Sequence, residues 1–248
     1  MREQPNMPSG TALVTGASSG IGRAVAIRLR QEGWNVVALG RNKDALHSLA
    51  DECGAEPLCV DVRDTETVSH RFSDQPLDAV INAAGVLTSR ELFQDIEPGA
   101  IDEMIGINLA APIRIARALL PGMIERQRGH LVFVGSSAGR WPHPNASVYG
   151  ATKAGISLFC DALRCDLLGT GIRITEVAPG RVQTQLYKST LGTNAGAQLY
   201  DGYASIQSSE MAELVFTCLN MPSHVDVSRM EVFPTDQAVG GARIVKAR

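Results

Sequence analysis

The feature that most restricts this chain lies near its start, where a short apolar run, a glycine-rich turn and an amphipathic helix follow one another directly. Thr11–Thr15 is apolar and reads as a strand. The turn Gly16-Ala17-Ser18-Ser19-Gly20-Ile21-Gly22 comes next. Ile21, Ala24, Val25, Arg28 and Leu29 then recur at helical spacing, with Gly33 as a stop. Glycines permit a tight turn and let backbone N–H groups approach a pyrophosphate. The N-terminal end of the helix adds favourable electrostatics for an anion. A ligand-free tight turn would use the same residue type, but a strand before and a helix after form the context a dinucleotide site needs. The spacing is G-x-x-x-G-x-G rather than G-x-G-x-x-G.

The rest of the chain keeps this rhythm. Strands are expected at 35–39, 57–60, 79–82, 131–135, 172–177 and 230–233, and helices at 44–53, 100–127, 148–168 and 209–220. The strand segments are short apolar runs without alternation, which implies burial on both faces. Such β-α alternation predicts an α/β fold, a doubly wound Rossmann-like parallel sheet with helices on both faces. With no repeat, linker or shift in composition, residues 1–248 read as one domain. The segment 181–208 departs from the pattern. It is rich in Gly, Ser, Thr, Asn and Gln, with Tyr187, Leu191, Leu199 and Tyr203 scattered through it. Its length and its place after a strand favour a substrate lid over a disordered segment.

Composition removes several classes. The 248 residues are 44% hydrophobic and 20% charged, which excludes disordered, collagen-like and coiled-coil chains. A chain this long buries a core without staples. Its 23 basic and 26 acidic residues give a net charge of −3 with no basic block, so nucleic acid is not the expected partner. No stretch approaches the roughly 18 apolar residues of a membrane span. Residues 1–10, with mixed charge and no apolar run, do not read as a signal peptide. The five cysteines are odd in number, form no CxxC pair and have no histidine cluster beside them. Buried, reduced thiols in a cytoplasmic protein are expected, rather than disulfides or a metal site.

Three places carry chemistry. The second strand ends in Leu39-Gly40-Arg41-Asn42, with no acid to grip an adenosine 2′-OH. Arg41 instead offers a fork suited to a 2′-phosphate, which points to NADP(H), unless it is a solvated surface charge. Tyr149 and Lys153 are four apart and share one helix face. A free tyrosine titrates near pH 10, and a nearby ammonium favours its phenolate. Tyr149 could then give or take a proton while a hydride moves. Ser136, thirteen residues before Tyr149, could hold the substrate oxygen beside it. A Tyr-x-x-x-Lys pair on a surface helix arises by chance, so the pair gains weight only in company.

That company is present. Thr15-Gly16-x-x-x-Gly20-x-Gly22, Asn82-Ala83-Ala84-Gly85, Asn108, Ser136, Tyr149-x-x-x-Lys153 and Pro179-Gly180 occur in order. The chain thereby resembles the short-chain dehydrogenase/reductases over nearly its whole length. The resemblance implies an NADP-linked alcohol dehydrogenase or carbonyl reductase with Asn108, Ser136, Tyr149 and Lys153 as catalytic residues. Ser136 would orient the reacting oxygen, Tyr149 act as acid–base, and Lys153 lower its pKa and contact the nicotinamide ribose. Gly16, Ser18, Ser19, Gly20, Ile21 and Gly22 would hold the pyrophosphate, and Arg41 and Asn42 the adenosine phosphate. Asp61 and Val62 would meet the adenine. Asn82, Ala83, Ala84 and Gly85 would form a floor, and Pro179, Gly180, Val182 and Thr184 would line the nicotinamide. The Asn108 carbonyl would hold a water leading to Lys153. The sequence adds that Pro112 has no N–H to bond that carbonyl. A homotetramer is implied too, with the 157–168 part of the long helix and the last strand at interfaces.

The substrate is less legible. The segments 137–142, 221–227 and 230–234 are similar to bacterial NADP-dependent 3-hydroxy acid dehydrogenases and to sulfoacetaldehyde reductases. Both imply a small anion, which needs a cation close by. Arg140, Arg181 and Arg90 are candidates, and His143 could also face the substrate. Arg181-Val182-Gln183-Thr184-Gln185 departs from the glycine-rich sequence that resemblance leads one to expect after Pro-Gly. A neutral ketone or aldehyde therefore stands as the alternative, and a non-catalytic NADP-binding regulator as another.

Overall fold

The computed structural model describes residues 10–73, 75–192, 194, 198–239 and 243–246. Most of the leader reading at 1–10 and part of the 181–208 segment therefore lie outside the described residues. The chain runs β1 (Thr11–Thr15), α1 (Gly20–Gln31), β2 (Asn35–Gly40), α2 (Lys43–Cys53), β3 (Glu56–Cys59), α3 (Thr65–Arg71), β4 (Ala79–Asn82) and α4 (Pro98–Ile105). It continues through α5 (Ala111–Glu125), β5 (Gly129–Val134), α6 (Ser147–Asp166), β6 (Ile172–Pro179), β7 (Val182–Gln183), α7 (Leu186–Leu191), β8 (Ile206–Gln207), α8 (Ser208–Leu219) and β9 (Arg229–Val232). Seven strands form one sheet in the order β3-β2-β1-β4-β5-β6-β9, and every pair is parallel. β7 and β8 pair separately.

The unalternating strands are explained by two dry faces. Ala12 and Val14 of β1, with Ala38, Ile81, Val132 and Val177, pack against Val25, Ala26 and Leu29 of α1 and Met211 and Val215 of α8. The residues between them in sequence, such as Leu13, Leu39, Val80, Leu131, Phe133 and Ile174, pack against Ile115 and Ala116 of α5 and Ile156 and Cys160 of α6. Both side-chain rows of a strand must then be apolar. The sheet, with its covering helices, is the doubly wound architecture expected.

Three details differ from the sequence reading. α3 was not anticipated. Val68 is its one buried residue, so a helix of seven residues shows no apolar period, although the Asp64 carboxylate caps it by accepting from the Thr67 N–H at 3.1 Å. The 100–127 helix is divided by a π turn at Gly106–Ala110, where the Ala111 N–H reaches the Gly106 carbonyl. Moreover, Pro98–Glu125 is 28 residues long and contains an 18-residue window with a mean hydropathy of 1.2, enough by length and composition for a membrane span. That corrects the expectation of no such stretch. The rod is built into the core, with Ala111, Ile115, Ala116 and Met123 at most 1% exposed.

All five cysteines are free. Cys160 and Cys218 are buried as expected, but Cys59 and Cys165 are exposed. Among the described residues, no group of three or more His, Cys, Asp or Glu is arranged to hold a metal ion.

Candidate active site

Strand order reverses between β1 and β4, and a crevice opens there at the carboxyl ends of the strands. Its cavity of about 360 Å³ is lined by the first turn, the ends of β2 to β6, α6 and the start of the 181–208 segment. Local chemistry builds the first wall. Gly16 has φ +68°, and a Cβ there would lie 2.7 Å from the Ala84 Cα. A Cβ on Gly22 would lie 2.5 Å from the Gly16 carbonyl oxygen. The turn can therefore sit on the β4 end only with glycine at both positions. Thr15 Oγ1 ties that floor down by accepting from the Ala83 and Ala84 N–H groups, both at 3.1 Å. At the N-terminus of α1, Ser19 makes no side-chain cap bond and the first turn carries no acid. Such an end is suited to an anion.

At the β2 end, Arg41 is 58% exposed along its side chain and only loosely held, with Nη1 3.9 Å from both Asp61 Oδ2 and Glu103 Oε1. Asp61 lines the cavity with Val62. Bidentate hydrogen bonds from Arg63, at 2.9 and 2.8 Å, hold its carboxyl down at about 2. Asn42 and Asn82 do not line the cavity. Asn42 caps α2 by accepting from the Ala45 N–H at 3.0 Å. Asn82 is buried within β4, and neither amide atom has a hydrogen-bond partner in the protein. The cradle of glycines, the uncapped helix end and the loosely paired Arg41 together fit a phosphorylated dinucleotide.

The reacting end gathers Ser136, Tyr149 and Lys153. Ser136 follows β5, and its Oγ accepts from the Ala138 N–H at 3.1 Å. Ser136 and Tyr149 both line the cavity, and the Ser136 side chain acts on the Tyr149 phenol. Lys153 lies one turn along α6, 6% exposed, with Nζ 5.8 Å from the Tyr149 ring centroid and donating to the Val134 carbonyl at 2.7 Å. Burial holds the Tyr149 phenol above its ordinary range, Tyr187 adds to this, and Ser136 opposes both. Lys153 is not among the groups that shift it, so the expected lowering is not found, and the phenol is neutral at physiological pH. Burial presses the Lys153 ammonium down to about 8.

Asn108 sits on the π turn. Its amide is spent on Val86, accepting from the N–H and donating to the C=O at 2.8 Å each, with Thr152 Oγ1 3.4 Å away. This latch between the π turn and the segment after β4 was not foreseen. The available signal was a polar amide within an apolar helical run.

On the substrate side the arginines separate. Arg140 pairs with Glu231 at 3.0 Å and lies over Trp141. Like Arg181 and Arg90 it is not part of the cavity lining, and Glu231 takes its charge, so the expectation that it faces the substrate is not met. Arg181 and Arg90 converge on Tyr187, with guanidinium carbons 5.6 and 5.8 Å from its ring centroid. Arg181 donates to the Leu199 carbonyl at 3.3 Å and Arg90 to that of Pro144 at 3.4 Å. Neither pairs with a carboxylate among the described residues. Tyr187 lines the cavity, and sequence reading gave it no role there beyond the lid segment. Half-buried His143 is held below its ordinary pKa by burial, then by Arg181 and Arg90.

The short chain dehydrogenase family matches residues 10–198. The chain is 49% identical over 236 residues to an uncharacterized short-chain type dehydrogenase/reductase of Sinorhizobium fredii, covering 95% of each. It is 37% identical over 242 residues to sulfoacetaldehyde reductase 2 of Chromohalobacter salexigens, covering 93% of this chain and 96% of that one. It is also similar to the closed form of a serine dehydrogenase complexed with NADP+, at TM-score 0.89 and 32% identity, over 92% of this chain and 96% of the other.

Proposed function

The chain belongs to the short-chain dehydrogenases, and on that premise we propose that it is an NADP(H)-dependent oxidoreductase acting on a small anionic hydroxy or carbonyl compound such as a 3-hydroxy acid. The nicotinamide, when bound, supplies or accepts the hydride. The first turn and the α1 terminus would hold the pyrophosphate, and Arg41 the 2′-phosphate. In the direction of reduction, Ser136 holds the substrate oxygen and Tyr149 gives it a proton. The burial that keeps the Tyr149 phenol protonated keeps it in the form a donor needs. As the proton leaves, the Lys153 ammonium opposes the charge left on the phenolate. The Asn108 carbonyl, which Pro112 cannot bond, would hold the water that returns a proton through Lys153.

The observation that carries this reading is that two hydroxyls, Ser136 and Tyr149, line one crevice with a buried ammonium one turn away. The anionic substrate rests on Arg90 and Arg181, two cations without a carboxylate on one ring beside Tyr149. An anion placed there would gain charge-assisted hydrogen bonds. The 181–208 segment serves as the lid. The chain works as a cytoplasmic homotetramer, in which Leu158 and Leu168, 72% and 80% exposed on and just beyond α6, are apolar surface for a neighbour to cover.

Tyr149→Phe tests the reading. Turnover monitored at the NADPH absorbance band should fall to background while NADPH affinity stays within about threefold. Retained turnover would overturn the mechanism; a wild-type chain that binds NADPH and reduces only neutral carbonyls would overturn the anionic substrate, and one that reduces neither kind would mark a non-catalytic binder.

A further inference from the structure

One buried carboxylate belongs to no function described so far. Glu176 lies in the middle of β6, 2% exposed. It follows Ile172 and Ile174 on the largely apolar face covered by α5 and α6. An ionised group does not enter such a face without a compensating partner. On β9, its register partner Arg229 offers Nη1 to Oε2 at 3.3 Å and also donates to Ser157 on α6 at 2.6 Å. Oε1 has no hydrogen-bond partner in the protein. It points at β5, where a Cβ on Gly135 would lie 2.2 Å from it. Gly135 stands between Val134, whose carbonyl receives the Lys153 ammonium, and Ser136. The gap left by that glycine brings a carboxylate up behind the reacting groups.

We propose that Glu176 is a positioning residue for the reaction, acting through Lys153 from the far side of Gly135. The inference rests on the role given above to Tyr149 and Lys153. Burial disfavours the Lys153 ammonium, and the Glu176 carboxylate is the charge that opposes this. Glu176 is itself held above the usual carboxylate range by burial, while Arg229, Ser157 and Lys153 pull it down and Asp161 pushes it up. The other titratable groups near it are Cys160 on α6 and, through Arg229, Glu231 on β9. Glu176 thus keeps Lys153 charged at the pH where Tyr149 must release its proton.

The chain contains four lysines, Lys43, Lys153, Lys188 and Lys246. Lysine labelled with 13C at Cε therefore gives four signals, and Lys153→Met assigns the one of interest. In Glu176→Gln, the Lys153 signal should titrate about one pH unit lower, the size expected when a close opposite charge is removed. The alkaline limb of kcat/KM should move down by the same amount. Glu176→Asp keeps the charge while disturbing the packing, and should leave both within a few tenths of a unit of wild type. If Glu176→Gln does not fold, Glu176→Asp against wild type remains decisive: a Lys153 titration lowered by a unit with the charge retained would overturn the proposal. So would a folded Glu176→Gln chain with an unmoved Lys153 signal. A shifted Lys153 signal with no change in the rate profile would uphold the contact and overturn its role in the reaction. The NMR titration needs no turnover, so it separates failure here from failure of the enzymatic reading.

Discussion

Replacing Arg41 with alanine should weaken NADPH binding and leave NADH binding nearly unchanged. A hydrogen bond to a charged group contributes about 1.5–3 kcal/mol. Arg41 is 58% exposed along its side chain, so solvent screening places it at the lower end, about 1.5–2 kcal/mol. At about 1.4 kcal/mol per factor of ten, that is roughly a 10- to 30-fold rise in the NADPH dissociation constant. The neighbours add to the effect. Asp61 and Glu103 each lie 3.9 Å from the guanidinium, and without it both carboxylates face the 2′-phosphate. NADH has no such phosphate and should change by less than about threefold. The assay is a titration of nicotinamide fluorescence with each cofactor, at low and high salt. The defect should shrink at high salt because the pair is exposed. Equal weakening of both cofactors would refute the assignment, as would no weakening of either.

Three further outcomes follow from the same coordinates. Arg90→Gln and Arg181→Gln should each raise KM for an anionic substrate about tenfold, the loss of one charge-assisted bond. A neutral carbonyl should be spared, and equal effects on both substrates would remove the anion-binding role. His130, buried and within 2.7 Å of Thr175 Oγ1, is pushed down to about 3 by burial and then by Arg173. Its folded pKa lies below the ordinary 6.5, so the unfolded chain takes up the proton first as pH falls. Stability should drop between about pH 6.5 and 3, by up to about 1.4 kcal/mol per unit. His130→Gln should flatten the dependence of Tm on pH in that window, and an unchanged slope would refute the cause. Arg173 donates to the carbonyls of Cys218, Leu219, Met221 and Val225 at the end of α8, at 3.0–3.4 Å. Arg173→Met should cost about 3 kcal/mol or more. That is a Tm lower by about 6–12 °C in calorimetry, and a fall under 2 °C would show the carbonyls are satisfied otherwise.

Much of the fold was legible because its signals are local. β1, the turn and α1 appear as an apolar run, glycines at set spacing and an i, i+3, i+4 pattern. The same holds for Tyr149 and Lys153, whose common helix face follows from their separation alone. α3 escaped because one buried residue, Val68, makes no period. The membrane-length character of Pro98–Glu125 escaped because isolated polar residues interrupt the run without lowering the mean hydropathy of an 18-residue window below that of a span.

The amino-acid order by itself determined the layering, the crevice and the reacting pair, since each depends on residues adjacent in the chain. Tertiary structure alone decided how the charges were distributed. Sheet register set Glu176 opposite Arg229 and behind Gly135. Packing of the π turn spent Asn108 on Val86, while contacts between other distant segments paired Arg140 with Glu231 and left Arg90 and Arg181 over Tyr187. A side chain's charge is written in the sequence, but its partner and the dielectric around it depend on elements brought together from distant parts of the chain. Those two quantities set what the charge does.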